Sequence, residues 1–201
     1  MGLSRLQVIE ALCAQLEKQM NITPQEIIDF WFSDRIKSQW FASTPDLDKE
    51  VMEKYEAIWE QAASGELDDW GDDPDGCLAL VIILDQFPLN MFRGQAKSFK
   101  TEDKAVDVVR TAVNEGLDQK IEKEKLAFLY MPFMHSEDLT NQDISVKLYK
   151  ENNLDANIKF AEHHRDIIRN FGRFPHRNGI LERESTAEEI VYLSSENAFK
   201  G

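Results

Sequence analysis

The stretch that most constrains this chain is CLALVIILDQF, residues 77–87. It is apolar on every side until Asp85. An element without a polar face has to be covered by neighbours all round. Periodicity alone also allows a buried strand. No second run of comparable quality exists to pair with it as a sheet. The run is therefore read as the central helix of an all-α fold.

The rest of the sequence agrees. LSRLQVIEALCAQLEKQM places Leu3, Leu6, Ile9, Leu12, Cys13 and Leu16 at helical spacing. Thr23, Pro24 and Glu26 spell a capping box with proline in the first turn. Thr44 and Pro45 repeat that logic before a stripe of Leu47, Val51, Tyr55, Ile58 and Ala62, with Gly65 as the stop. Thr101 is expected to cap the next helix and Ser136 the one after Pro132, a residue that must stop or kink its helix. A long helix ends at Gly172, and Ser185 or Thr186 opens the last one. The expectation is an array of about eight or nine helices in antiparallel pairs with short connections. A repeat of about 34 residues would mark tetratricopeptide-type pairs, but its consensus residues do not recur. Residues 1–22 are read as an N-terminal helical extension and 23–201 as a single all-helical domain.

Composition narrows the function classes. The chain has 201 residues, 42% of them apolar, and a formal net charge of −14. That charge repels phosphate backbones and anionic lipid heads, so neither nucleic acid nor membrane is an expected partner. Cys13 and Cys77 are far apart and sit in apolar segments, which reads as buried free thiols. The N-terminus lacks the pattern of a signal peptide, and the longest apolar run is too short to span a bilayer. The expectation is a soluble cytoplasmic protein.

Against this acidic background, FGRFPHRN at 171–178 packs arginine, histidine and asparagine between aromatic rings. Five of the nine arginines lie between 165 and 183, and no lysine falls between Lys159 and Lys200. Arginine is favoured where planar, paired contact with carboxylate or phosphate is needed. Arg173, His176, Arg177 and Asn178 follow the helix stop, while His164 falls on that helix's apolar face with Phe160, Ile167, Ile168 and Phe171. A second polar stretch, DQFPLNMFRG, carries Asp85, Asn90 and Arg93. Asp85 ends the apolar run and needs a cation or several donors if buried. Arg173, Arg177 or Arg93 could supply them, and the two stretches are expected to meet. His135, His164 and His176 with Asp85 or Glu137 could form a metal set. No ligand-type spacing appears, and the arginines would repel a cation, so no metal and no cofactor are expected.

Four blocks carry a resemblance to a known family: DFWF with Trp40 and Phe41 at 29–41, LALVIILDQFPLNMFRG at 78–94, YMPFMHSED at 130–138, and AEHHRDIIRNFGRFPHRNGILERESTAEE at 161–189. In this order they resemble the bacterial family called domain of unknown function 924. The resemblance runs from about residue 24 to the end. It implies an all-helical fold of the tetratricopeptide-like class and brings no particular activity. Leu89 stands where the family pattern has arginine, which removes one cation from the expected site. Glu182 stands where it has glycine.

Two functional readings are open. In the first, a cleft binds a small anionic molecule, with or without turning it over. Arg93, Asn90, His164, Arg173, Arg177 and Asn178 hold it, and Asp85, His135 and His176 handle the proton. This reading expects unpaired arginine donors. In the second, the array docks a protein partner or a second copy of itself, and the arginine–carboxylate pairs only hold the fold.

Overall fold

The computed structural model describes residues 22–201, and every regular element among them is helical. The stripe at Leu3–Leu16 and Cys13 lies outside the described residues. In chain order the helices are α1 (Pro24–Trp31), α2 (Asp34–Lys37), α3 (Pro45–Ser64), α4 (Pro74–Val81), a π-helical turn (Ile82–Gln86), α5 (Phe87–Met91), α6 (Glu102–Asn114), α7 (Lys123–Leu129), α8 (Met131–His135), α9 (Leu139–Glu151), α10 (Asp155–Phe171) and α11 (Ala187–Leu193). Short 3-10 turns lie at Asp68–Asp72, against α4, and at Pro175–Arg177, after α10.

The central run is a helix, as its composition demands. All residues from Gly76 to Asn90 except Leu89 are buried. Helix α1, α6, α7 and the 68–72 turn all pack on α4, and α3 packs on α5. Gly76 is required there: a Cβ at that position would lie 1.9 Å from the Trp70 carbonyl oxygen. Aromatic rings fill the space between α1, α3, α5 and α7, with Tyr55 stacked on Phe87 and Trp31 edge-on to Phe87 and Phe128. Burial pushes the Cys77 thiol up to about 11, which keeps it protonated and inert.

Most helix ends follow their sequence signals. Thr23–Glu26 and Thr186–Glu189 form complete capping boxes. Thr44 accepts the Leu47 N–H, and Gly65 and Gly172 end their helices in the left-handed conformation. Two caps differ from expectation. Asp138, not Ser136, caps α9 by accepting the Thr140 and Asn141 N–H groups. Thr101 makes no side-chain cap. Its hydroxyl instead donates to the Leu84 carbonyl at 2.6 Å and accepts from the Trp59 indole at 3.1 Å.

That exchange explains the π-helical turn. Pro88 has no N–H to offer the Leu84 carbonyl four residues back, and its ring crowds that oxygen. The helix widens by one residue, the Phe87 N–H reaches back to Ile82, and Thr101 takes the freed carbonyl. Such single wide turns recur at functional sites, and this one carries Asp85.

Beyond α8 the chain forms a second layer. Helices α9 and α10 are joined by the three residues 152–154 and lie antiparallel along each other, and α8 packs on both. A satellite cluster of Ile167, Ile168 and Phe174 forms under the segment that follows α10, backed by Phe171, Tyr192 and Phe199. The expected inward face of α10 holds for His164, Ile167 and Ile168, but Phe160 is 60% exposed. Among the described residues, no helix is long and apolar enough to cross a membrane.

Candidate functional site

The widened turn aims the Asp85 carboxylate, which is 2% exposed, at the end of α8. There the His135 Nδ1–H donates to both of its oxygens, at 2.9 and 3.0 Å. The Gln86 amide is a further donor to Asp85. Burial disfavours the His135 imidazolium, but the adjoining Asp85 carboxylate outweighs it, and the histidine's pKa is raised above its usual value. A carboxylate on Nδ1 fixes the ring's orientation and directs its chemistry to Nε2. The side chain is 17% exposed, and Nε2 has no hydrogen-bond partner among the described residues.

Arg177 approaches from the other side, on the 3-10 turn after Phe174. Its guanidinium lies between the rings of Phe99 and Phe174, at 4.4 and 4.7 Å. Nη1 donates to Glu102 Oε2 at 2.9 Å and Nη2 to the His135 carbonyl at 3.1 Å. Two buried atoms are left over. Among the described residues Arg177 Nε has no acceptor and Glu102 Oε1 has no donor. Burial pushes the Glu102 carboxyl up to about 7; Arg177 opposes this and Asp85 adds to it. A cleft of about 170 Å³ opens beside the pair, lined by Phe99, Val106, Ser136, Arg177 and Leu181 and by three carboxylates, Glu102, Asp103 and Glu137; His135 and Asp85 lie behind Glu102 and Arg177 and are not part of its wall. That is room for a few heavy atoms, below the ~300 Å³ at which drug-sized pockets begin.

The structure distributes the remaining expected residues more widely. Among the described residues Asp85 pairs with no arginine; its partners are His135 and Gln86. The two polar stretches share His135, with Asp85 on its ring and Arg177 on its carbonyl, but no hydrogen bond or ion pair joins them directly among the described residues. Arg93 and Asn90 turn to the start of α3. Arg93 binds Asp48 through Nε at 2.7 Å and Nη2 at 3.1 Å, and the Asn90 amide donates to Asp48 at 2.7 Å and to Ser43 at 2.9 Å. Arg173 is taken by the Glu189 carboxylate at 2.7 and 2.8 Å, and the Arg173 guanidinium beside it brings Glu189 down to about 2. Asn178 donates to Ser185 and to the same Glu189. Arg183 forks onto Glu137 at 2.7 and 2.9 Å. These guanidinium ends are staples: Arg93 to α3, Arg173 to α11, and Arg183 to the connection between α8 and α9. Of the expected pair Arg173 and Arg177, Arg177 keeps a buried Nε without an acceptor among the described residues; Arg183 Nε is left the same way, but Arg177 is the one that lines the cleft.

The other histidines differ from His135. His164 Nδ1 donates to the Phe160 carbonyl at 2.8 Å, and burial drives its pKa down to about 3. His176 lies against Phe174 and Phe199 with Nδ1 buried and unpartnered, and burial, then Arg177, lower it to about 4. Both are neutral at pH 7, which leaves His135 as the histidine of this site able to move a proton there. No three His, Cys, Asp or Glu side chains converge to hold a metal ion among the described residues.

Glu102 is a site residue that the sequence pattern does not single out. An acidic residue in a helix's first turn reads as a dipole partner. The signal that distinguishes it is position: Glu102 lies three and four residues before the buried Ala105 and Val106, on the inward face of α6. A larger, open hollow of about 360 Å³ lies on α9 at Leu139, Thr140, Asp143, Ile144 and Lys147. It is lined from one helix, and its carboxylate, Asp143, already meets Arg169 at 2.9 Å.

Comparison with known proteins agrees with the blocks seen in the sequence. Residues 27–197 match the model of a family described as bacterial protein of unknown function, DUF924. A solved structure of ATU0120, a protein of unknown function from Agrobacterium tumefaciens, is 38% identical, covers 85% of this chain and 96% of its own, and superposes with a TM-score of 0.81. No curated protein matches the chain.

Proposed function

The chain belongs to the DUF924 family, and on that premise we propose that it is a cytoplasmic protein that binds a small anionic molecule in the cleft beside Arg177, with His135, which Arg177 holds by its carbonyl just behind the cleft wall, as the neighbouring group able to exchange a proton. The observation that carries this reading is an unfilled donor in a buried place. Among the described residues the Arg177 Nε–H has no acceptor, although the guanidinium is held against two rings beside an open cleft. A buried donor left unmade costs about 1–3 kcal/mol, so an acceptor arriving there is rewarded. The Asp85–His135 pair adds an oriented imidazole of raised pKa, the arrangement a general acid or base requires.

The test is a thermal-shift series with sulfate, phosphate and small carboxylates on wild type, Arg177→Lys and Arg173→Ala. An anion at ten times its dissociation constant adds about 1.4 kcal/mol, about 3 °C in a chain of this size. Wild type and Arg173→Ala should respond, because Arg173 is occupied elsewhere, and Arg177→Lys should not. Equal responses in all three, or none in wild type, would sink the reading.

A protein partner or a second copy of the chain is the alternative, favoured by the hollow on α9 and the 41% exposure of Leu139 at its rim. In that reading Leu139→Asp would change the oligomeric state or partner binding measured by light scattering.

A further inference from the structure

Resting on the anion reading above, we propose that the bound anion replaces Glu102 as the partner of Arg177, and that Glu102 takes up one proton as it yields the guanidinium. The cleft then admits an anion and a proton together and its net charge does not change. The geometry argues for exchange rather than addition. One guanidinium sits between Phe99 and Phe174, only 7% exposed, and already faces one carboxylate. A second negative charge in this place would meet the cleft's own carboxylates, Glu102 first, with Asp85 behind it, and burying unpaired charge is costly. Glu102 is poised to be the group that yields. Arg177 satisfies one of its oxygens, and the other, Oε1, is buried without a donor among the described residues. A carboxyl group held this way gains little from being ionised, and its pKa near 7 agrees.

The charged groups around Glu102 come from several elements. Asp85 faces it from the π-helical turn and His135 from α8, and Arg177 comes from the 175–177 turn. Glu137 lines the same cleft but is neutralised by Arg183, and Asp103 lines it from α6 itself. His135 is the competing proton acceptor, because its Nε2 is unpartnered and an anion nearby would also favour its charged form. The test has to separate the two.

Sulfate and acetate serve as probes because their own charges do not change above pH 6. Titration calorimetry in two buffers of different protonation enthalpy counts the protons taken up per anion bound. For wild type the count should approach one at pH 8 and fall towards zero at pH 6, where Glu102 is already protonated. Over the same range affinity should weaken about tenfold per pH unit above pH 7 and level off below it. Glu102→Gln should bind with no proton uptake and no pH dependence. Uptake that persists in Glu102→Gln assigns the proton to His135 and overturns the proposal. Anion binding to wild type without uptake at pH 8 also overturns it, while leaving the anion site standing; this wild-type count decides even if the variant fails to fold. If neither anion binds wild type at any pH, both the exchange and the site fall together.

Discussion

Replacing Glu102 by glutamine should stabilise the protein at neutral pH and have no effect in acid. Glu102 is paired with Arg177, so intuition from ion pairs suggests the opposite. The structure says otherwise, because burial outweighs the pairing and holds the carboxyl near 7 instead of its ordinary 4.5. In the folded protein Glu102 keeps a proton that the unfolded chain has already released. Stability therefore falls as pH rises from 4.5 to about 7 and levels off beyond it. Raising the pKa from 4.5 to about 7 is worth on the order of 3 kcal/mol. Glutamine has the shape of the protonated acid and an oxygen that can accept from Arg177 Nη1, but it cannot ionise. Urea denaturation of both proteins from pH 5 to pH 8 reads the difference directly. Glu102→Gln should exceed wild type by about 1 kcal/mol at pH 5, about 2 at pH 6 and about 3 above pH 7. A variant less stable than wild type at pH 8 would show that the Arg177 pair dominates and that Glu102 is an ordinary ionised carboxylate.

Asp85→Asn should lower the His135 pKa, since it removes the carboxylate that offsets burial; NMR titration of the imidazole resolves it, and an unchanged value would detach His135 from Asp85. Glu182→Gly should raise the unfolding free energy by up to about 1 kcal/mol in urea denaturation, because Glu182 has φ of 54° in the left-handed region that costs an L side chain about 1–2 kcal/mol and glycine returns part of that in backbone entropy. Thr186→Ala should cost about 1 kcal/mol in the same assay by removing one half of the capping box of α11.

Much of the fold was legible because the relevant signals are local. A run with no polar face had to become a covered helix, and Thr23, Thr44, Thr186 and Gly172 end their helices where their chemistry says. The glycine expected at position 182 also has a visible cause in the positive φ there. The site was legible only in part, because pairing is a tertiary choice. An arginine in a chain with 37 acidic residues has many partners to choose from. Arg173 found Glu189 and Arg93 found Asp48 for reasons set by how helices pack. Asp85 was recognisable as a buried carboxylate, but its partner is a histidine. Thr101 looks like a cap, and its role follows from a carbonyl that Pro88 left free on another helix. Glu102 was hidden for the same reason: its helix position predicts a solvated dipole partner, and its partner, Arg177, comes from 75 residues further along the chain.

On the proposed reading, an anion in the cleft beside Arg177 meets the guanidinium's buried Nε–H, which has no acceptor among the described residues. The most direct measurement is therefore the ¹⁵N–¹H resonance of Arg177 Nε during titration with sulfate and with acetate, with Arg173 and Arg183 read in the same spectra. Binding there predicts a saturable shift at Arg177 Nε, slower exchange of its proton, and little change at Arg173, whose Nε is already bound to Glu189. An Arg177 resonance that ignores both anions would contradict the anion site, and would leave Arg177, Glu102 and His135 as a network that only holds the helices together.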